Sequence, residues 1–317
     1  MVMQLNSGET VGGYTRFAVE VDGLGRYTID VSLPANPPPN KRLPVILTLD
    51  GNLLFDLVRP IVHGGMSAAN MVLPPALVVG IGYPVDEGFS GFYARRNFDF
   101  HGPWAMRDPF GQRVHEIFTL IKTGESRPDL QMQAGGYNRF MTFLADELMP
   151  ALVRTFPVDA DARHTLIGMS SGGHFALRAL FDKRSPFGRY VVISPSFHAA
   201  NGAIAKAEAE YAAQNSDLDT EIFICAGTEE IAVSADSALC GFGAGVIWCA
   251  QQFALRGWPS ASLQWEIMSN EDHASIAPRG IATGLRAVHR LRPGVHGDEL
   301  AAAVAALEAN FSKPVES

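Results

Sequence analysis

Three things are scarce in this chain. Cysteine comes first: Cys225, Cys240 and Cys249 are the only three in 317 residues. An odd number with no CxxC and no repeated metal spacing excludes a disulfide framework. Cys225, inside the apolar run Ile222–Ala226, reads as a small buried residue. Basic charge is also short, with 25 Lys and Arg against 33 Asp and Glu for a net charge of −8. That argues against a nucleic-acid partner, which needs a basic patch to displace counterions from phosphate. Long apolar runs are missing too. The longest candidate, Met71 to Val85, is interrupted by Pro74, Pro75 and Pro84, so no membrane span is expected. The opening MVMQLNSGETVGG has no basic segment followed by an apolar one, and the expectation is a soluble cytoplasmic protein. No internal repeat or low-complexity block is present.

Core material, by contrast, is ample: 47% of residues are apolar and 18% charged. Residues Thr15–Val21 and Tyr27–Leu33 read as strands joined by an Asp22-Gly23 turn. The three prolines of Pro37–Pro39 cannot join a ladder and mark a loop. Val45–Leu49 and Ala76–Ile81 are apolar without alternation, the signature of strands covered on both faces. Residues 137–155 carry a helical period through Phe140, Leu144, Leu148 and Leu152, with Pro150 placed to kink or split the helix. Thr165–Ile167 reads as a strand and leads through a turn into a helix reaching Leu180. Three further strands follow, Tyr190–Ile193, Glu221–Cys225 and Leu263–Ile267. Helices are expected at Ile281–Arg292 and Asp298–Asn310. Strands alternating with helices predict a doubly wound α/β fold, a mostly parallel sheet with helices on both faces.

Residues 86–134 break this pattern. They are rich in Gly, Arg, aromatics and Pro, with weak periodicity apart from a short helix around Val114–Ile121. Such an insert in a compact α/β chain reads as a lid or substrate wall.

The sharpest motif is Gly168-Met169-Ser170-Ser171-Gly172-Gly173, a G-x-S-x-G between an apolar strand and a helix. A nucleophile elbow needs that setting: small neighbours permit the tight turn, and the helix N-terminus offers N–H groups to developing negative charge. A serine hydroxyl also needs a base oriented by an acid, in the chain order serine, acid, histidine. Five histidines follow Ser170: His174, His198, His273, His289 and His296. His174 sits one turn into the elbow helix, His289 inside an expected helix, and His296 near the tail. His273, in the polar loop Ser269–Ser275 directly after a strand, is the expected base, with His198 in reserve. The acid should follow Glu221–Cys225. Glu230 is the choice there, Glu229 the alternative and Asp236 a weaker third. Oxyanion donors are expected at the backbone N–H of Ser171 and, from the loop Asp50-Gly51-Asn52, at Asn52.

At these residues the chain resembles the putative-esterase family of α/β-hydrolases, which includes esterase D, siderophore esterases such as enterochelin esterase, feruloyl esterases and bacterial mycolyltransferases. The resemblance is carried by LPVILTLDGN (43–52), FMTFLADELMP (140–150), TLIGMSSGGHFALRAL (165–180), Ile193–Ser196, Gly227–Glu230 and Asp272–Ser275. It implies Ser170 as nucleophile, His273 as base, Glu230 as acid and Asn52 as oxyanion donor. Family members often carry an aromatic pair after Ser-Pro-Ser; here the residues are Phe197 and His198, expected to line the pocket.

The resulting expectation is a single α/β-hydrolase domain over 1–317, with 86–134 as its substrate-side insert. It would cleave small-molecule carboxylic esters through an acyl-enzyme, with no metal or organic cofactor. Arg95 and Arg96 of the insert are expected to meet substrate. Two rivals share the fold: an acyltransferase using the same residues, and a non-catalytic ligand-binding protein in which Ser170 is dispensable. Oligomeric state is not legible.

Overall fold

A computed structural model describes residues 3–289, apart from 6, 36, 38–39, 68–72, 104–108, 127–128, 200–201 and 232–233. The expected helix Asp298–Asn310 and the tail beyond it lie outside the described residues.

Among the described residues nine strands form one sheet: β1 (Glu9–Val11), β2 (Tyr14–Val21), β3 (Gly25–Ser32), β4 (Val45–Thr48), β5 (Leu77–Gly82), β6 (His164–Met169), β7 (Phe187–Ile193), β8 (Thr220–Gly227) and β9 (Ala261–Met268). Their spatial order is β1-β2-β3-β5-β4-β6-β7-β8-β9. The β1-β2-β3-β5 pairings are antiparallel. All pairings from β5 through β9 are parallel. The doubly wound reading therefore holds, with an antiparallel meander added at one edge.

The unalternating apolar runs follow from burial on both faces. Val45 and Leu47 of β4 point into one core layer with Phe140, Leu144 and Phe175. Ile46 points into the other, with Phe55, Val58 and Ile281. Helices α1 (Gly51–Ser67) and α10 (Ile276–Val288) cover the second face. Each such buried side chain contributes about 1.5–3 kcal/mol, so both layers hold the sheet. On the first face α4 (Tyr137–Thr142) runs through a π-helical stretch, Phe143–Leu148, into α5 (Met149–Thr155). Pro150 lies in the first turn of α5, directly after the π-helical stretch, so the helix is not split but changes its winding just before the proline.

The segment 86–134 is more regular than its sequence suggests. It forms α2 (Gly88–Phe100) and α3 (Pro109–Gly124). The period of α2 is hidden because polar residues are buried along with apolar ones: Ser90, Arg96, Asn97 and Asp99 as well as Phe92 and Phe100. Arg96 pairs inward with Asp50, and Asp99 with Tyr27 and Tyr83, so no clean apolar stripe marks the helix. The remaining helices are α6 (Ser171–Ala179), α7 (Ala203–Ala212), α8 (Ala235–Cys240) and α9 (Phe242–Arg256). Among the described residues one stretch, Ala235–Arg256, is long and apolar enough to cross a membrane. It is broken at left-handed Gly241, and Phe242, Val246 and Cys249 pack into the core.

Candidate active site

The sequence-selected residues gather along one edge of the sheet, where the parallel strands end. Open α/β sheets bind ligands there because loops converge at the carboxyl ends of the strands.

Ser170 links β6 to α6 with φ 59° and ψ −120°, a conformation that non-glycine residues rarely adopt. Its N–H donates to the Ile193 carbonyl at 3.0 Å, and its carbonyl accepts from His174 N–H at 2.9 Å and Ser196 N–H at 3.0 Å. The flanking glycines are steric requirements. A Cβ on Gly168 would lie 2.1 Å from the Gly172 carbonyl oxygen, and one on Gly173 would lie 2.9 Å from that of Ile193. Ser171 opens α6 and is buried, and its N–H belongs to the first helical turn, which has no intrahelical acceptor.

Glu230 follows β8 and is 1% exposed. Oε1 accepts from His273 Nδ1 at 2.5 Å. Oε2 accepts from the Ser194 hydroxyl at 2.6 Å and from Gly227 N–H at 2.7 Å. With Nδ1–H donated to the carboxylate, the Nε2 lone pair of His273 is left to take a proton. His273 is half-buried and stacks on Phe242, ring centroids 4.6 Å apart at 21°. The two loops are joined by Glu229 N–H to the Glu271 carbonyl at 3.2 Å and Asn270 N–H to Thr228 Oγ1 at 2.9 Å. That closeness needs Gly227, whose Cβ would lie 2.0 Å from the Glu271 carbonyl oxygen. Glu229, the alternative acid, is exposed. Asp236, the third, is paired with Arg113 at 2.7 and 2.8 Å. Of the other histidines, His174 is fully buried with Nδ1 on the Ser196 carbonyl at 3.0 Å. Its pKa is pushed down to about 4 by burial.

Asn52 stands in the first turn of α1. Its side-chain amide is used up on Tyr83: Nδ2 donates to the carbonyl at 2.8 Å and Oδ1 accepts from the N–H at 2.7 Å. Gly82 leaves room for this, since a Cβ there would sit 2.6 Å from Asn52 Oδ1. The second Nδ2–H aside, the backbone N–H of Asn52, in the first turn of α1, is left to serve as donor.

The residues expected to meet substrate divide. Phe197 and His198 follow β7; Phe197 packs on Trp248 at 5.1 Å, and His198 is exposed. The two arginines are committed to protein partners. Arg95 bonds Glu87 and the Arg26 carbonyl and lies over the Tyr27 and Tyr83 rings. Arg96 is buried and grips Asp50 with two hydrogen bonds, 2.8 and 2.7 Å. Sequence reasoning gave no role to Ser194 or Phe242. Ser194 lies in the strand-end Ser-Pro-Ser and could have been suspected as a support for the acid; nothing in the apolar run around Phe242 marks it. Among the described residues no group of three or more His, Cys, Asp or Glu is placed to hold a metal ion.

Comparison with known proteins assigns the class first: the fold is that of the α/β-hydrolases. A solved structure of BES protein from Bacillus cereus superposes with TM-score 0.71 at 25% identity, covering 90% of this chain and 99% of that one. The siderophore hydrolase EstA from Aspergillus nidulans shares the fold at TM-score 0.71, 22% identity, and 87% and 96% coverage. Residues 119–241 match the family described as "Putative esterase", in line with the resemblance read from the sequence. Ferri-bacillibactin esterase BesA of Bacillus subtilis is 34% identical over 175 residues, 54% of each chain. The siderophore enterobactin esterase of Emericella nidulans is 32% identical over 191 residues, 57% of this chain and 56% of that one. The matches thus span about half the length of these curated relatives.

Proposed function

We propose that this chain is a serine hydrolase of carboxylic esters and that its substrates are ester-linked siderophores. Ser170 attacks the ester carbonyl while His273 Nε2 takes its proton. His273 then returns that proton to the departing alcohol, and water cleaves the acyl-enzyme by the same route. Glu230 fixes the imidazole tautomer and supports the imidazolium. The N–H groups of Ser171 and Asn52 receive the oxyanion of each tetrahedral intermediate. Phe197, His198 and the α2–α3 segment form the substrate side of the cleft.

The observation that carries this reading is the Glu230–His273 bond of 2.5 Å on the sheet edge that also holds the strained Ser170. A buried carboxylate orienting an accessible imidazole has no packing purpose. The substrate class is supported by the names of the relatives, an esterase for ferri-bacillibactin and one for enterobactin.

The test is hydrolysis of short p-nitrophenyl esters and of a tri-ester siderophore by the native protein and by Ser170→Ala. Mass spectrometry then follows a fluorophosphonate probe. Loss of about 10³-fold or more in kcat for the variant, with the probe on the Ser170 peptide, is expected. Turnover that survives Ser170→Ala would sink the mechanism; p-nitrophenyl turnover without siderophore cleavage would sink the substrate class alone.

A further inference from the structure

Asp50 occupies the residue before α1, and its carbonyl accepts the first helical bonds, from Leu53 and Leu54 N–H at 2.8 and 3.0 Å. An aspartate at that position ordinarily turns its carboxylate back onto the N–H of the second or third helical residue. Here the second residue is Asn52, the expected oxyanion donor. Asp50 does not turn back. Its backbone is left-handed, φ 50°, and both carboxylate oxygens are taken by Arg96, Oδ1 by Nε and Oδ2 by Nη2. The pair is buried, with the carboxylate 2% exposed. It also lies against the elbow. A Cβ on Gly172 would sit 3.1 Å from Asp50 Oδ2, and Arg96 Nη2 reaches the Met169 carbonyl at 3.5 Å. An unbalanced carboxylate there would stand between the N-termini of α1 and α6. It would oppose the positive ends that receive the oxyanion.

We propose that Arg96 is a positioning residue of the oxyanion hole, drawing the Asp50 carboxylate off the Asn52 N–H and neutralising it. The inference rests on the ester-hydrolase reading above. It explains why α2 buries a guanidinium: Arg96 completes the site from behind, without touching substrate. It also accounts for an aspartate in a left-handed turn, where the rarer backbone leaves the carboxylate facing α2 rather than α1.

The experiment compares the native protein, Arg96→Met, Asp50→Ala and the double variant Arg96→Met/Asp50→Ala. Readouts are kcat and KM on p-nitrophenyl butyrate below every variant's unfolding transition, and the rate of fluorophosphonate labelling. Arg96→Met frees the carboxylate to cover Asn52 N–H; kcat and labelling should fall by ~100-fold, the range for loss of one oxyanion donor, with KM within about threefold. Removing the freed carboxylate should then restore activity, making the double variant at least ~10-fold faster than Arg96→Met. A scaffold role predicts a double variant no faster than the single, and a substrate contact predicts a raised KM at native kcat; either result overturns the proposal. If Arg96→Met does not fold, Arg96→Lys and its Asp50→Ala double carry the same comparison, since lysine keeps the charge but loses the two-pronged grip. A native protein with neither turnover nor labelling overturns the hydrolase reading, and this inference with it. Native turnover retained by Arg96→Met overturns this inference alone.

Discussion

Glu230, in the loop after β8, and Asp99, on α2 against β3, are equally removed from water, at 1% and 0% exposure. Their partners make them opposite in kind. Glu230 faces an imidazole and receives a hydroxyl and a backbone N–H, so its negative charge is matched on every side. Asp99 faces two phenols, Tyr27 at 2.6 Å and Tyr83 at 3.0 Å, both on Oδ2, and no hydrogen bond reaches Oδ1 from the described residues. Burial pushes its pKa up to about 7, with the Tyr27 hydroxyl and Arg95 only partly offsetting it. Burial alone therefore does not mark a functional carboxylate. In the proposed mechanism the marker is a partner that can itself take and return a proton while still open to solvent, the part assigned to His273.

The largest effect that could break this contrast is Glu230→Gln. The amide oxygen can keep the Ser194 and Gly227 bonds, but the –NH₂ then faces Nδ1 and forces the wrong imidazole tautomer. Loss of kcat by about 10³–10⁴-fold is expected, the cost of a mis-set tautomer in a triad. The urea midpoint should hold close to native, because volume and two of three bonds remain. A variant with near-native kcat would show that Glu230 is as structural as Asp99.

Much of the Glu230 half was legible in the sequence because each of its parts sits on a strand end. The apolar runs at Val45, Leu77, Leu166 and Ile222 announce strands, and Gly168–Gly173 and Gly227–Glu230 are turns whose glycines have a steric task. The Asp99 half was illegible for the opposite reason. In α2 buried positions are filled by Arg96 and Asp99, and their compatibility with a core depends on partners 46 and 72 residues away in Asp50 and Tyr27. Hydropathy periods register local order only, so a helix that buries paired polar groups reads as irregular. The same gap made Arg95 and Arg96 look available to substrate. β1 escaped notice because Glu9–Val11 is a short exposed edge strand with no alternation to detect.

Asp99→Asn should affect stability, and its dependence on pH, more than catalysis. The folded pKa, about 7, lies above the ordinary aspartate value of 3.8, so the native state holds a proton that the unfolded chain has released. Between roughly pH 4 and 7 that difference makes native stability fall as pH rises, by at most about 1.4 kcal/mol per pH unit. Above pH 7 the loss is complete and flat. The histidines run the other way: burial lowers His164 and His174 to about 4 and His289 to about 3, so their contribution is lost as pH falls below about 6.5. Asparagine removes only the Asp99 component. Its urea-unfolding profile should match the native protein near pH 4 and exceed it near pH 8, with kcat within about threefold. Equal slopes for both proteins would place Asp99 among ordinary ionised carboxylates and erase the contrast with Glu230.

The smallest effect expected concerns a third kind of carboxylate, the half-exposed Asp236 of α8 that Arg113 of α3 holds. This pair ties the 86–134 segment to the region after β8 at the surface, where solvent and salt screen charge and the rotamer entropy of the long arginine side chain opposes the bond. Arg113→Ala should leave kcat for p-nitrophenyl acetate unchanged, because no reacting atom is within its reach. If α3 walls the substrate side, KM for a bulky tri-ester should rise by about two- to fivefold, while KM for the acetate stays native. Added salt should erase the difference between native and variant proteins, as it does for solvent-exposed pairs. A fall in kcat for both esters would instead mean that the surface pair reaches the Glu230–His273 couple, and that the partner's openness to solvent does not by itself separate functional carboxylates from the rest.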